Sequence, residues 1–354
     1  MRTTTPSIAG TGLFALDVIV RLDGSKATPS LGGSAGNVLS ILGALGWGAA
    51  PMGLLGDDAA GHAIRRDFER VGADTRLLRR SMARCTPVIF QHQLDRQAAQ
   101  DDATHRFTFA CPNCGDRRRP HWEDDPEFAD VRAELPPASV FYLDRPTRLG
   151  VAVAEQYASR GATVVFEPSA VGDDVSLFVR AAHVAHIVKY ADERLGDLGA
   201  YHLRPDGIEI QTRGSHGLRF RCGKADRSWT YLPAFRLPFI HDTAGAGDWC
   251  TAGMLYELFG AAAGVRAIDR KTIEDALAFG QVLSTLNCMT EGARGLLATW
   301  SPDQIVRAAR SATQARTEPG QFVDQTFRSF AHDVGLTSST TALRGDGFGC
   351  CSQL

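Results

Sequence analysis

Residues 242–250 read DTAGAGDWC, with three small residues directly before the carboxylate of Asp248. Phosphoryl transfer needs hydrogen-bond donors aimed at developing negative charge and a group that orients the attacking hydroxyl. Consecutive backbone N–H groups at a helix start supply such donors, and the helix dipole adds to them. Gly245, Ala246 and Gly247 are small enough for a phosphate to approach the backbone. A preorganised donor of this kind is worth about 2.7–4 kcal/mol in a transition state. Asp248 in the first turn would accept a proton from an alcohol, a role worth roughly 10²–10⁴-fold. The same stretch also reads as an ordinary helix start, with Asp248 favouring the positive end of the dipole. The loop alone leaves both readings open.

A second constellation is CPNCG at 111–115, whose Cys-x-x-Cys spacing lets two thiolates face one metal. A closed site needs four ligands, and the sequence shows one such pair. Cys85, His105 and His121 are candidates to complete it, as is the same pair from another subunit. Plain thiols are the alternative for Cys111 and Cys114. A redox pair fits less well, because the surrounding pattern is not thioredoxin-like.

The elements that must position these residues follow from the hydrophobic periodicity. Residues 7–24 are rich in β-formers with a Gly-Thr-Gly bend. Val38, Ile41, Leu42 and Leu45 then mark a helix, and Ile64, Phe68 and Val71 another. TPVIFQHQL and THRFTFA read as strands. From 138 onward strands (ASVFYLD, ATVVFEP, AHIVKY) alternate with helices at 147–160 and 173–182, which implies a mostly parallel sheet covered on both faces. Long helical patterns follow at about 245–260 and 271–288. Residues 95–137 are polar and loop-like, an insertion around the Cys pair. Residues 311–354 have little periodicity and read as a weakly ordered extension.

Composition narrows the class. The chain has 354 residues, 44% hydrophobic and 22% charged, enough for a substantial core. A formal net charge of -2 argues against nucleic acid as a partner. The N-terminus shows no apolar signal-peptide core, and no run nears the roughly 18 apolar residues of a membrane span. Eight scattered cysteines argue against a secreted disulfide scaffold, so a cytoplasmic enzyme is expected. GTGLFA at 10–15 leads into a strand pattern rather than a helix, which weakens a dinucleotide reading. No Walker A motif is present: the nearest run, Gly217 to the GKA at 223–225, has one residue too many and lacks its Ser/Thr.

Taken in order, Asp17 on the N-terminal strand, GGSAGN at 32–37, GLLGDDAAG, TRGSHG at 212–217, DTAGAGD and LNCMTEGAR resemble the motifs of the ribokinase-like (PfkB) carbohydrate kinases over about residues 8–300. The resemblance implies an α/β fold of ribokinase-like type, a mostly parallel sheet with helices on both faces plus a small β lid. It places the kinase domain at 1–310, with lid parts at about 18–31 and 84–112. It implies ATP and Mg2+ as cofactors and a sugar or sugar-like alcohol as acceptor, with a nucleoside kinase of the same fold, or a non-catalytic sugar- or nucleotide-binding regulator, as alternatives. A homodimer through the lid is a further implication.

Carried over residue by residue, Asp248 is the base, and Gly245, Ala246 and Gly247 form the anion hole. Asp17, Gly32, Gly33 and Asn37 hold the sugar hydroxyls. Thr212, Gly214 and Gly217 form the turn against ATP, with Thr243 also on the nucleotide side. Glu193 matches a Glu that organises magnesium, while Tyr190 stands where the family often has Asn. Without the resemblance, Asp17 reads as a strand-end Asp and Asn37 as a helix cap. Lys189 reads as a solvated strand-end charge. Trp249 either packs under the substrate or fills core. Arg117–Arg119 read as a solvated face, Cys222, Cys250 and Cys288 as core, and the polar CSQL terminus is not a prenylation box.

Overall fold

The computed structural model describes residues 5–95, 104–120, 131–201, 203–223, 227–237, 239–260 and 268–315, together with 327 and 350–351. The first half runs β1 (Ser7–Thr11), β2 (Ala15–Val20), β3 (Ser30–Gly32), α1 (Ser34–Ala44), β4 (Gly48–Pro51), β5 (Gly53–Gly56), α2 (Ala59–Arg70), β6 (Leu78–Ser81), β7 (Val88–Gln93) and β8 (His105–Thr108). The second runs β9 (Val140–Leu143), α3 (Arg148–Ser159), β10 (Thr163–Phe166), α4 (Val175–Val184), β11 (Ile187–Ala191), β12 (Ile208–Thr212), β13 (Leu218–Arg221), β14 (Thr230–Leu232), α5 (Ala246–Phe259), α6 (Arg270–Asn287), α7 (Gly295–Thr299) and α8 (Pro302–Ala315).

The main sheet has eight strands in the order β14-β13-β12-β11-β10-β9-β1-β4. All neighbours pair in parallel except β12–β13 and β13–β14. Its central strands are short β-branched and aromatic runs, buried on both faces as a covered parallel sheet requires. Successive residues of β9 alternate between two cores. Val140 and Tyr142 join the core under α1, α5, α6 and α8, whereas Phe141 and Leu143 join the one under α3 and α4. That alternation is the strand period of two expressed in packing. A second sheet, β3-β2-β7-β8, is the small β unit expected as a lid, hereafter the lid sheet; β2 and β7 are parallel and the other pairs antiparallel. β7 and β8 lie inside the expected 84–112, whereas β2 begins at Ala15, ahead of the expected 18–31, and β3 ends at Gly32, just past it.

Helix starts divide into two kinds. Asp58, Thr147, Asp174 and Asp269 cap α2, α3, α4 and α6 by accepting first-turn N–H bonds. Helices α1 and α5 begin instead at Gly33 and Gly245, with no side-chain cap. Their first-turn N–H groups are therefore not satisfied from the N-cap, and these are the two helices that open at the candidate site.

The structure differs from the sequence reading in several places. The β5 segment pairs in parallel with β6, whose LRRS sequence carries no strand signal of its own. Helix α8 is absent from the periodicity reading; its buried stripe is Ile305, Ala309 and Ala312, and two alanines give a weak periodic signal. Residues 311–315 belong to α8, so the extension assigned to 311–354 begins inside a helix. Phe327 is buried against Phe235 and Cys351 is buried in the core, while most of 316–354 lies outside the described residues. No helix among the described residues is long and apolar enough to cross a membrane.

Candidate active site

The site lies where α1, α5 and the lid strand β2 converge. Asn37, in the first turns of α1, donates from Nδ2 to Asp248 Oδ2 at 2.7 Å, across 211 residues of sequence. Asp248 keeps partial exposure to the cleft, yet its carboxylate is surrounded by protein. That desolvation, followed by the nearby charge of Glu167, raises its pKa to about 8. The hydrogen bond from Asn37 and the charge of Lys189 pull the other way.

Asp17 projects from β2 next to Gly32. A Cβ on Gly32 would stand 1.9 Å from Asp17 Cγ, so glycine is required for the carboxylate to lie over the backbone. Burial raises the Asp17 pKa to about 7, against the lowering effect of Arg294. Asp17 Oδ1 and Asn37 Oδ1 are both buried without a hydrogen-bond partner among the described residues. Orphaned buried acceptors are costly, and a hydroxyl-rich ligand would satisfy them. Gly33 is the N-cap of α1.

The DTAGAGD loop is held from below. Gly245 has φ +72°, and a Cβ there would be 2.4 Å from Ala293 O. Ala246 N–H bonds Thr243 O at 3.2 Å, which tightens the turn into α5. Gly247 is exposed, and its carbonyl receives Lys189 Nζ at 3.1 Å and Thr251 Oγ1 at 3.2 Å. Lys189 is thus not a solvated strand-end charge. It is buried and forms an ion pair with Glu167, whose other oxygen accepts from Thr251 at 2.6 Å and Tyr142 at 3.3 Å. β-Strand alternation turns Lys189 towards α5 and Tyr190 to the opposite face. Trp249 is fully buried and donates Nε1 to Ala293 O at 3.0 Å, so it fills core behind the loop.

At the turn expected to face a nucleotide, Gly214 opens a short 3-10 turn, and a Cβ placed on it would meet nothing within 4 Å, so the surface over it is open. Thr212 ends β12 and bonds Tyr190 O at 3.4 Å, and Gly217 closes the turn into β13. Glu193 is 76% exposed on the turn after β11, with the guanidinium of Arg194 4.0 Å away. Tyr190 points away, giving its hydroxyl to Glu209 at 2.8 Å. Thr243 faces the lid: its hydroxyl meets that of Thr104 at 2.9 Å.

Several functional-looking contacts carry no sequence signal, even where the residue stands in a motif quoted above, as Asp242 and Arg294 do. Asp144, at the end of β9, accepts from Leu13 N at 2.9 Å and Ala35 N at 3.1 Å, fixing the β1–β2 bend against α1. Asp242 accepts from Ala244 N and Gly292 N at 2.9 Å each, and from Gln91 on the lid. His105 Nδ1 lies 3.0 Å from Asp242 Oδ1, so this histidine belongs to the loop and not to the thiols. Burial would raise the Asp242 pKa, but His105 and the backbone donors hold it below the usual value. Arg294 is half-buried beside β3, donating to Leu31 O, with Asp67 at 3.5 Å and Ser40 Oγ at 2.8 Å. Only the fold brings these partners together.

The thiol and arginine expectations also resolve. Cys85 is exposed and outside the Cys111–Cys114 cluster, and His121 lies outside the described residues. Arg117 and Arg119 line the surface, while Arg118 pairs with Asp58 at 3.4 Å. Cys222, Cys250 and Cys288 are buried.

No family model matches the chain. A curated relative, aminoimidazole riboside kinase of Salmonella typhimurium, is 27% identical over 307 residues, covering 81% of this chain and 90% of the relative. Ribokinase from Giardia lamblia superposes with a TM-score of 0.67 at 18% identity, over 86% of this chain and 100% of that one. Fructokinase with bound ATP from Xylella fastidiosa gives 0.64 at 19% identity, over 88% and 99%. The fold is that of the ribokinase-like (PfkB) carbohydrate kinases, the family whose motifs the sequence resembles.

Proposed function

We propose that this chain is an ATP-dependent kinase that phosphorylates an alcohol of a sugar or sugar-like small molecule. The observation that carries it is the Asn37–Asp248 hydrogen bond at the uncapped start of α5, made by an amide whose own Oδ1 is buried without a partner among the described residues. Adjacent hydroxyls are read well by a carboxylate and by an amide that donates and accepts. In this reading Asp17 and Asn37 bind them, with Gly32 and Gly33 giving the backbone room to approach. Asp248 takes the proton of the attacking hydroxyl. Its raised pKa matches a base working near neutrality.

Gly245, Ala246 and Gly247 form the cradle for the transferred group, and the Lys189–Glu167–Thr251 cluster holds its floor rigid. ATP, with Mg2+, supplies the phosphoryl group and offsets its charge. The open surface at Gly214, with Thr212 and Gly217, suits a nucleotide, Thr243 stands between loop and lid, and Glu193 is the carboxylate assigned to the magnesium side. Closure of the lid excludes water and so limits futile hydrolysis of ATP. We also assign the chain to the cytoplasm, with no nucleic-acid or membrane partner. A homodimer through the lid is supported by the outer edge of β8, where Phe107 is 46% exposed.

The test is ADP release with a panel of sugars, ribosides, nucleosides and sugar phosphates, with Asp248→Asn as control. The name of the Salmonella relative makes ribosides a necessary part of the panel. ADP release dependent on one acceptor class and lost in Asp248→Asn is the expected result. Full activity in that variant overturns the mechanism, and tight binding without turnover favours a regulator.

A further inference from the structure

The hairpin after β8 carries thiols that phosphoryl transfer does not use. Cys111 and Cys114 lie on the C-P-N-C-G turn, and Cys350 and Cys351 from the far end of the chain lie beside them. The four sulfurs are all within 4.8 Å of one another, and Cys114 Sγ is 3.3 Å from Cys351 Sγ. A tetrahedral ion with sulfur at about 2.3 Å places its ligands roughly 3.8 Å apart, so the observed cluster has the size of one closed coordination shell. Disulfides would instead draw the sulfurs together as pairs.

The backbone is arranged in the same sense. Cys111 N–H bonds Asp116 O at 2.8 Å, Gly115 N–H bonds Cys111 O at 2.9 Å, and Ala110 bridges to Arg117. This tight hairpin turns both thiols of the motif to one side. The N–H groups of Asn113, Cys114 and Cys351 are directed at the Cys111 sulfur, the outer-shell pattern that orients a metal-bound thiolate. Cys111 and Cys351 are buried, Cys350 is half-buried and Cys114 is exposed, so the cluster sits at the surface end of a core rather than in a reactive cleft. Four thiolates with no carboxylate or imidazole among them select a soft, tetrahedral ion over Mg2+ or Ca2+. With all four positions filled by protein, no place is left for a substrate, which makes the site structural.

We propose that Cys111, Cys114, Cys350 and Cys351 form a closed tetrathiolate site for one Zn2+ ion, which fastens the C-terminal end of the chain to the lid. The Cys pair is therefore completed from within the same chain, by the tail. The attachment point is mechanically connected to the active site. The hairpin begins at the end of β8, the strand of His105, and ends at Arg118, whose carbonyl accepts from Val88 N at the start of β7. Loading releases the thiol protons to solvent, so occupancy falls in acid.

Elemental analysis of the full-length protein, purified without added metal, should give about one zinc per chain. Cys114→Ser and Cys351→Ser should each reduce this to a small fraction, while Cys85→Ser, outside the cluster, keeps it. Cobalt added to the metal-stripped wild type should produce the intense thiolate charge-transfer and tetrahedral ligand-field bands of a four-sulfur site. The cobalt spectrum stays decisive even if a serine variant fails to fold. Absence of metal, retention of zinc by Cys351→Ser, or a metal-free chain two hydrogens lighter than its reduced mass overturns the proposal. The last result would show a disulfide in its place.

Discussion

Asp248 and Asp17 hold carboxyls in surroundings that favour the neutral form, and for Asp248 this has measurable consequences. Asp248→Asn should lower kcat by roughly 10²–10⁴-fold, because the base is lost while its shape is kept. The same variant should melt at a higher temperature near neutral pH. The sign follows from linkage: a carboxyl whose folded pKa lies above its unfolded value binds its proton more tightly when folded. Its stabilising contribution is complete below the unfolded value of 3.8 and is lost as pH rises through about 8. An amide has no such loss, so a thermal scan across pH should show variant and wild type diverging as pH increases. For activity, kcat/KM should rise with pH and level off near pH 8, where the free enzyme's base ionises. Asn37→Ala removes a bond that lowers this pKa, so a pH–rate profile should show the limb displaced upward.

At the scale of elements, the entry to α5 depends on one backbone conformation. Gly245→Ala would place a methyl 2.4 Å from Ala293 O at a φ of +72°. It should destabilise by at least about 1–3 kcal/mol in denaturant unfolding and reduce activity together with stability. Lys189→Met should cost about 3–5 kcal/mol, since Glu167 is left as an unpaired charge beneath the loop. The double variant Lys189→Met/Glu167→Gln should recover much of it, and failure to recover would show that the lysine matters through Gly247 O instead. The loop and its glycines are readable in the sequence because φ and close approach restrict them to one residue type. Lys189 is not, because a single residue's parity on β11 decides whether it faces α5 or solvent. Asp144 escapes for a related reason: it acts through Leu13 N and Ala35 N, 131 and 109 residues away, and spacing carries no trace of that. Arg294 stands in a quoted motif, yet its bond to Ser40, 254 residues away, is equally unreadable.

For the molecule as a whole, alternating strands and helices after residue 138 point to the parallel sheet, since crossover connections leave few alternatives. The strands of β7 and β8 are legible in TPVIFQHQL and THRFTFA, but their grip on the DTAGAGD loop is not. Nor is the end of the chain, where the pairing of thiols depends on a return path that local pattern does not encode. Gln91 and His105 on the lid share the carboxylate of Asp242 with Ala244 N on the loop and Gly292 N on the turn after α6. In the proposed reading, Asp242 would thus serve the acceptor's cover and the phosphate's cradle at once. Whatever strengthens one arrangement must strengthen the other equally, because a coupling free energy has no direction. Acceptor binding should tighten the nucleotide, and the nucleotide should tighten the acceptor, by the same factor in calorimetric titrations. Thr104→Ala, which releases Thr243 from the lid, should shrink both factors together. The two ligands would then bind more nearly as strangers, each less responsive to the presence of the other.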